Sequence, residues 1–398
     1  MTQPAVRQHV PWTAARTAGD GRLVLGGFCL IAIAVCGLAA NTPAPLTNTP
    51  AVPVCGYTYV HDEVARVPWS IHIVKVDRKR TDLALETTLG SGTRIGLEVV
   101  SEQVKSIPLE LGQPVAAING DFFSGADACP GDPEGLQIIR GELVSAPHPN
   151  RVAFWVDEAR NFHRACVAPL FEVIWPDGTK TPVGLNEARE ADTAVLYTAA
   201  MGPSTLTYKG CELVLARQTN SPWLPLQAGT NYLARIIRRN EAGDTPLPAD
   251  GMVLSLGSRL AAQLPKTWNG AVLQISTATT PSLMGVRTGL GGGPGLVHEG
   301  KLTPVTGYLH LRHPRSAIGW NKDYFFMVEV DGRQRKSVGM TFPELAEYML
   351  KLGCEEAMNL DGGGSATLWV DGKVVNSPSR GQERPAANAL ALLKKTKK

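Results

Sequence analysis

Residues 357–378 read AMNLDGGGSATLWVDGKVVNSP, and within them one carboxylate, Asp361, is followed by Gly362, Gly363, Gly364 and Ser365. Three glycines in a row weaken a strand and cost backbone entropy. What they offer in return is close approach: a ligand can reach backbone N–H groups that larger side chains would cover, with the Ser365 hydroxyl as a further donor. The alternative is a glycine-rich bulge beside a solvated aspartate. A second polar cluster interrupts VAAINGDFF (115–123), an apolar strand that ends in Asn119-Gly120-Asp121 and resumes with Phe122 and Phe123; by itself it reads as a hairpin turn. In HPRSAIGW (313–320), Arg315 sits between a proline and an apolar run. It is placed either to grip a phosphate or carboxylate bidentately or to be an ordinary surface charge. The run GLGGGPG (289–295) lacks the Lys-Ser/Thr of a nucleotide loop and reads as a flexible loop or turn.

The elements that must hold these residues are mainly strands. SIHIVKVD (70–77) alternates apolar and polar positions, DLALETTLG (82–90) follows after a turn, and YFFMVEVDG (324–332) is apolar up to an Asp-Gly stop. The clearest helix is TFPELAEYMLKLG (341–353). Thr341 and Glu344 have capping-box spacing, Leu345, Tyr348, Met349 and Leu352 form one stripe, and Gly353 stands where a left-handed cap belongs. Residues 151–248 carry turn clusters but no strong periodicity. The pattern predicts an α+β fold: a single large strand-rich domain over 57–395, with few helices packed on a mixed or antiparallel sheet.

Composition narrows the partners. The 398 residues are 43% hydrophobic and 19% charged with a net charge of +3, an ordinary globular balance that does not favour nucleic acid. The N-terminus differs: a basic region (1–22), an apolar run (23–40) and a Pro/Thr-rich linker (41–56) predict a secretory signal peptide or a membrane anchor. The chain is therefore expected to be periplasmic, extracellular or attached to the membrane by this segment. Beyond it lie Cys55, Cys129, Cys166, Cys211 and Cys354, with no CxxC spacing and no zinc pattern. They read as buried thiols or as one or two disulfides.

Taken in order, NGDFF, PEGLQIIRGELV, GGGPGLVHEGKL, HPRSAIGWNKDYFFMVEVDGR, GMTFPELAEYMLKLGCEEAMNLDGGGSATLWVDGKVVNSPS and ERPAANALAL resemble the phosphodiester glycosidase family. The resemblance implies a hydrolase that removes a phosphomonoester from the anomeric carbon of a sugar-1-phosphodiester or phosphorylated glycan. It carries family motif positions onto Asn119, Gly120, Phe122, Phe123, Arg315, Gly319, Asn359, Asp361, Gly362, Gly363, Gly364, Ser365, Arg384 and Asn388. Asp361, Arg315, Asn119 and Asp121 are the expected catalytic set, and Gly120, Phe123, Asn359, Gly362, Gly363, Gly364, Ser365, Arg384 and Asn388 are expected to bind substrate; relatives often have glycine where Asp121 stands, so its role is not inherited.

The chemistry fits one carboxylate and one or two arginines. Cleaving a sugar C1–O bond passes through an oxocarbenium-like state that a carboxylate can stabilise or attack. A phosphomonoester leaves without protonation, so cations on the phosphate matter more than a strong acid. No cofactor is then required. A structural calcium is compatible with SGADACPGDPEG (124–135), which holds Asp127, Asp132 and Glu134, although its spacing is not that of an EF-hand and a lid-like loop is favoured. Two other readings stay open: a non-catalytic binder of envelope polysaccharide or exopolysaccharide-biosynthesis protein, and a metal-dependent phosphodiesterase cutting P–O with Asp121, Asp127, Asp132 and Asp361.

Overall fold

A computed structural model describes residues 56–125, 129–264, 270–305 and 311–395, all within a compact unit spanning Thr49–Lys398. The N-terminal leader and linker, Cys55 and Asp127 lie outside the described residues.

Strands dominate. A seven-stranded antiparallel sheet runs in the order Tyr57–Val64, Trp69–Asp77, Tyr324–Val330, Arg315–Trp320, Glu356–Asn359, Gly295–His298, Lys301–Leu302. A five-stranded sheet, ordered Lys373–Val374, Leu368–Val370, Gln113–Asn119, Ala389–Lys394, Leu83–Thr87, packs on it through Val74, Ile118, Ile318, Phe325, Met358 and Leu390. This is a two-sheet sandwich, with the apolar face of each sheet turned inward. The helix Phe342–Lys351 covers the outer face of the first sheet through Leu345, Tyr348 and Met349, and the short helix Val100–Lys105 covers the second through Val100 and Val104. The capping box of Thr341 and Glu344 forms as the spacing predicts, and Gly353 ends the helix at φ +86°.

The middle of the chain builds an eight-stranded sheet from segments between Ala168 and Thr280, in which one pair, Gly184–Leu185 with Ala194–Tyr197, is parallel. It shares a core with a further five-stranded sheet that includes Gln137–Ile139, Thr288–Gly291 and Val152–Val156.

Two expectations need correction. The fold is strand-rich with few helices as expected, but the α+β class is only loosely met, because the described α-helices are three short segments, two of them on outer sheet faces. The glycine run 289–295 is not a flexible loop: Thr288–Gly291 and Gly295–His298 are strands. Gly291 pairs with Ala153 as a strand residue, and a neighbouring carboxylate occupies the volume that any side chain there would need. A Cβ there would lie 2.2 Å from Asp121 Oδ2.

The described cysteines, Cys129, Cys166, Cys211 and Cys354, are free thiols. Burial pushes the Cys129 thiol up to about 12, leaving it unreactive at neutral pH.

Candidate active site

Asp361 follows the Glu356–Asn359 strand and begins a tight turn, Gly363–Ser365, at the edge of the sandwich. Its N–H donates to Gly120 O at 2.9 Å and its own carbonyl accepts from Asn119 Nδ2 at 2.7 Å, which fastens the turn to the end of the Gln113–Asn119 strand. The Asp361 carboxyl is half-buried. Burial raises its pKa, while the Ser365 hydroxyl, the Arg384 charge and the Gly362 N–H act to lower it.

The glycines serve packing more than donor exposure. Gly362 donates to the Asp361 carboxylate and Gly363 N–H to Pro314 O at 2.8 Å, so these two amides are engaged within the protein. What the missing side chains admit is guanidinium. A Cβ on Gly363, at φ +63°, would meet Arg333 Nη2 at 3.1 Å, and one on Gly364 would meet Arg380 Nε at 3.3 Å and Arg384 Cδ at 3.4 Å. Three arginines from two places in the chain therefore lie against the turn.

The three asparagines hold the framework. Asn119 Oδ1 accepts from Ser316 Oγ at 2.6 Å and Thr367 N at 3.1 Å. Asn388 Oδ1 accepts from Asp121 N at 2.8 Å, and its Nδ2 donates to Gln137 Oε1 at 2.7 Å. Asn359 Nδ2 donates to Gly293 O at 3.0 Å. All three are fully buried, so they meet the protein and not a ligand. Gly120 lies where a Cβ would stand 2.2 Å from Asn388 Oδ1; Gly319 lies away from the turn, against Met349 and Cys354 beneath the helix.

Asp121 is sealed, its side chain having no exposed surface. Its Oδ1 accepts from Arg151 Nη2 at 2.5 Å and from Phe122 N at 2.8 Å, while Oδ2 is buried without a partner. Burial pushes its carboxyl up to about 7 against the opposing pull of Arg151. The segment 119–123 is therefore not a hairpin turn: the strand pairs with Leu368–Val370 and Ala389–Lys394 instead. Asp121 acts on its surroundings through Arg151, whose other arm reaches Glu134 Oε2 at 2.5 Å and whose guanidinium lies over Phe122.

Arg384 donates to Ser365 Oγ at 3.2 Å and lies 4.9 Å from the Phe123 ring centroid. Arg315 points inward: it is 6% exposed, donates to Met340 O and Leu311 O, and stacks on Phe342 at 3.9 Å. Neither expectation for it holds in simple form, since it is not a surface charge and its fork already holds backbone carbonyls.

Sequence reasoning missed Arg151, Arg333 and Arg380 as members of this site. Arg333 directly follows the YFFMVEVDG strand, a visible signal; Arg151 and Arg380 lie in loops with no motif. In the acidic loop, Glu134 pairs with Arg151, and Asp132 is pushed up to about 8 by burial and by Glu187. Among the described residues, 124–135 presents no group of three metal-ligating side chains.

Residues 227–393 match the profile of the family described as Phosphodiester glycosidase. Over those residues the chain is similar to the phosphodiester glycosidase family. The match includes Arg315, Arg333, Asp361, Arg380 and Arg384, whereas Asn119, Asp121, Glu134 and Arg151 lie outside it. The N-acetylglucosamine-1-phosphodiester alpha-N-acetylglucosaminidase of Bos taurus is 37% identical over 73 residues, 18% of this chain and 14% of that enzyme. The chain thus spans about one-seventh of the length of that relative. A hypothetical protein from Synechocystis shares the fold at TM-score 0.69 and 20% identity, over 85% of this chain and 62% of its own. A Burkholderia pseudomallei K96243 protein, named as a candidate exported protein, does so at TM-score 0.62 and 24% identity, over 82% and 74%. No helix among the described residues is long and apolar enough to cross a membrane.

Proposed function

We propose that this chain is an exported hydrolase that cleaves the anomeric C1–O bond of a sugar-1-phosphodiester, releasing free sugar and a phosphomonoester. The observation that carries this reading is the turn at 361–365: one half-buried carboxylate at its foot and Arg333, Arg380 and Arg384 against its glycines. Asp361 acts as nucleophile or base on the anomeric carbon, and the arginines take up the charge that develops on the departing phosphate. Ser365 and Phe123 orient Arg384, and Asp121 orients Arg151 at the rim. Arg315 is assigned to holding the 311–315 and 340 backbone together, in place of the phosphate contact first expected of it. The activity in the bovine relative's name supports the same bond class, and the apolar run 23–40 supports export or membrane attachment.

The test is hydrolysis of a panel of sugar-1-phosphodiesters in ¹⁸O-labelled water. C1–O cleavage places the label in the free sugar. Label in phosphate together with sugar 1-phosphate would establish P–O cleavage instead, and binding without turnover across the panel would establish a polysaccharide-binding role.

A further inference from the structure

Away from this site, a row of polar side chains crosses the seven-stranded sheet. In register, His61 faces His72, His72 faces Glu329, and Glu329 faces Ser316. Cross-strand partners share a face, so these side chains are neighbours. At the centre, one ligand atom from each of His72, Glu329 and Asp331 lies within 4.8 Å of the others, and all three residues are buried.

Glu329 is the anomaly. It is 0% exposed, and neither of its carboxylate oxygens has a hydrogen-bond partner. The Asn376 amide, which donates to Ala366 O at 3.1 Å, is a neutral donor beside it. A buried carboxylate with so few donors is unfavourable while charged, and a second acid, Asp331, stands in the same cluster. Among the described residues no guanidinium or ammonium is paired with either. Asp331 receives Ser70 Oγ at 2.9 Å, Ser377 N at 2.7 Å and His72 Nε2 at 3.2 Å.

We propose that His72, Glu329 and Asp331 bind a divalent transition-metal cation, zinc being the best match, as a structural clamp. One imidazole nitrogen and two carboxylates suit zinc better than calcium, which prefers oxygen alone. His72 is pre-oriented for it. Its Nδ1 bonds the Tyr59 hydroxyl at 2.7 Å and its ring stacks on His61 at 4.3 Å, which leaves Nε2 facing the two acids. Tyr59 and His61 lie on the edge strand of the sheet. The clamp joins two neighbouring segments, the Trp69–Asp77 strand and the Tyr324–Val330 strand with the turn that follows it. That turn, Asp331-Gly332-Arg333, delivers Arg333 to the Gly363 turn, and Ser377 ties the second sheet to Asp331. The inference does not depend on the hydrolase reading.

The experiment is calorimetric titration of zinc into the EDTA-stripped, full-length protein, with thermal unfolding read in parallel. One zinc per chain, bound at about micromolar or tighter, with a rise in melting temperature is expected. Calcium is expected to give neither. His72→Gln and Glu329→Gln should each remove the binding event, whereas Asp177→Asn, an exposed carboxylate elsewhere, should keep it. Should Glu329→Gln fail to fold, the wild-type titration and His72→Gln decide. Wild-type protein that takes up no zinc, or His72→Gln protein that binds it as tightly as wild type, overturns the proposal.

Discussion

Two of the places where the molecule encloses acidic side chains are treated differently. At the glycine turn, Asp361 and Asp121 sit among arginines drawn from three loops, and Asp361 opens to solvent. Beneath Tyr59 and His61, Glu329 and Asp331 are enclosed with one histidine and several neutral donors, with no arginine in attendance. A carboxylate flanked by guanidinium groups at a surface can change its charge and its partner during a reaction. An enclosed pair lacking a counter-cation is a standing electrostatic cost, and a bound metal relieves it. Reactivity is thus assigned to the first region and stability to the second.

Asp361→Asn should break the reactive region most severely. Turnover of a sugar-1-phosphodiester is expected to fall on the order of a thousandfold while the melting temperature stays close to wild type. Steady-state kinetics beside thermal unfolding would show it, and near-normal turnover would remove Asp361 from the chemistry.

The arginines sharpen the division. Arg384→Lys and Arg333→Lys keep charge but lose the planar fork, so kcat/KM should fall by about 10- to 100-fold. Arg315→Lys loses its carbonyl contacts instead and should lower the melting temperature while changing kcat/KM less than about threefold. Equal kinetic damage at 315 and 384 would place the inward arginine on the substrate.

Asp121→Asn should act more mildly, by about tenfold, because its carboxyl reaches the rim only through Arg151. The pH dependence of stability is the clearer readout. Burial raises Asp121 from 3.8 to about 7, so over that interval the folded protein holds a proton that the unfolded chain has released. The associated stability is present below pH 3.8 and lost as pH rises through about 7. Melting temperatures recorded from pH 5 to 8 should therefore fall less steeply in the asparagine variant. An unchanged slope would refute the raised carboxyl.

The smallest kinetic effect is expected from chelation. EDTA should leave turnover within about twofold well below the melting temperature while lowering that temperature. Abolished turnover in still-folded chelated protein, restored by added metal, would merge the two regions into one metal-dependent mechanism.

Local patterns were legible in the residues themselves. The capped helix 342–351, the strands 69–77 and 324–330 and the special character of Asp361 with its glycines depend on contacts within a few positions, where spacing and residue type suffice. The role of those glycines was only half legible, because what fills the vacated space comes from Arg333, Arg380 and Arg384. Tertiary structure alone decided that Arg151 meets Asp121 across thirty positions, that Arg315 turns inward, and that Gly291 leaves room for a distant carboxylate. It likewise brought His72 beside Glu329 and Asp331, more than 250 residues away in the chain. Sheet register sets such meetings, and register is a property of paired strands that neither strand carries by itself.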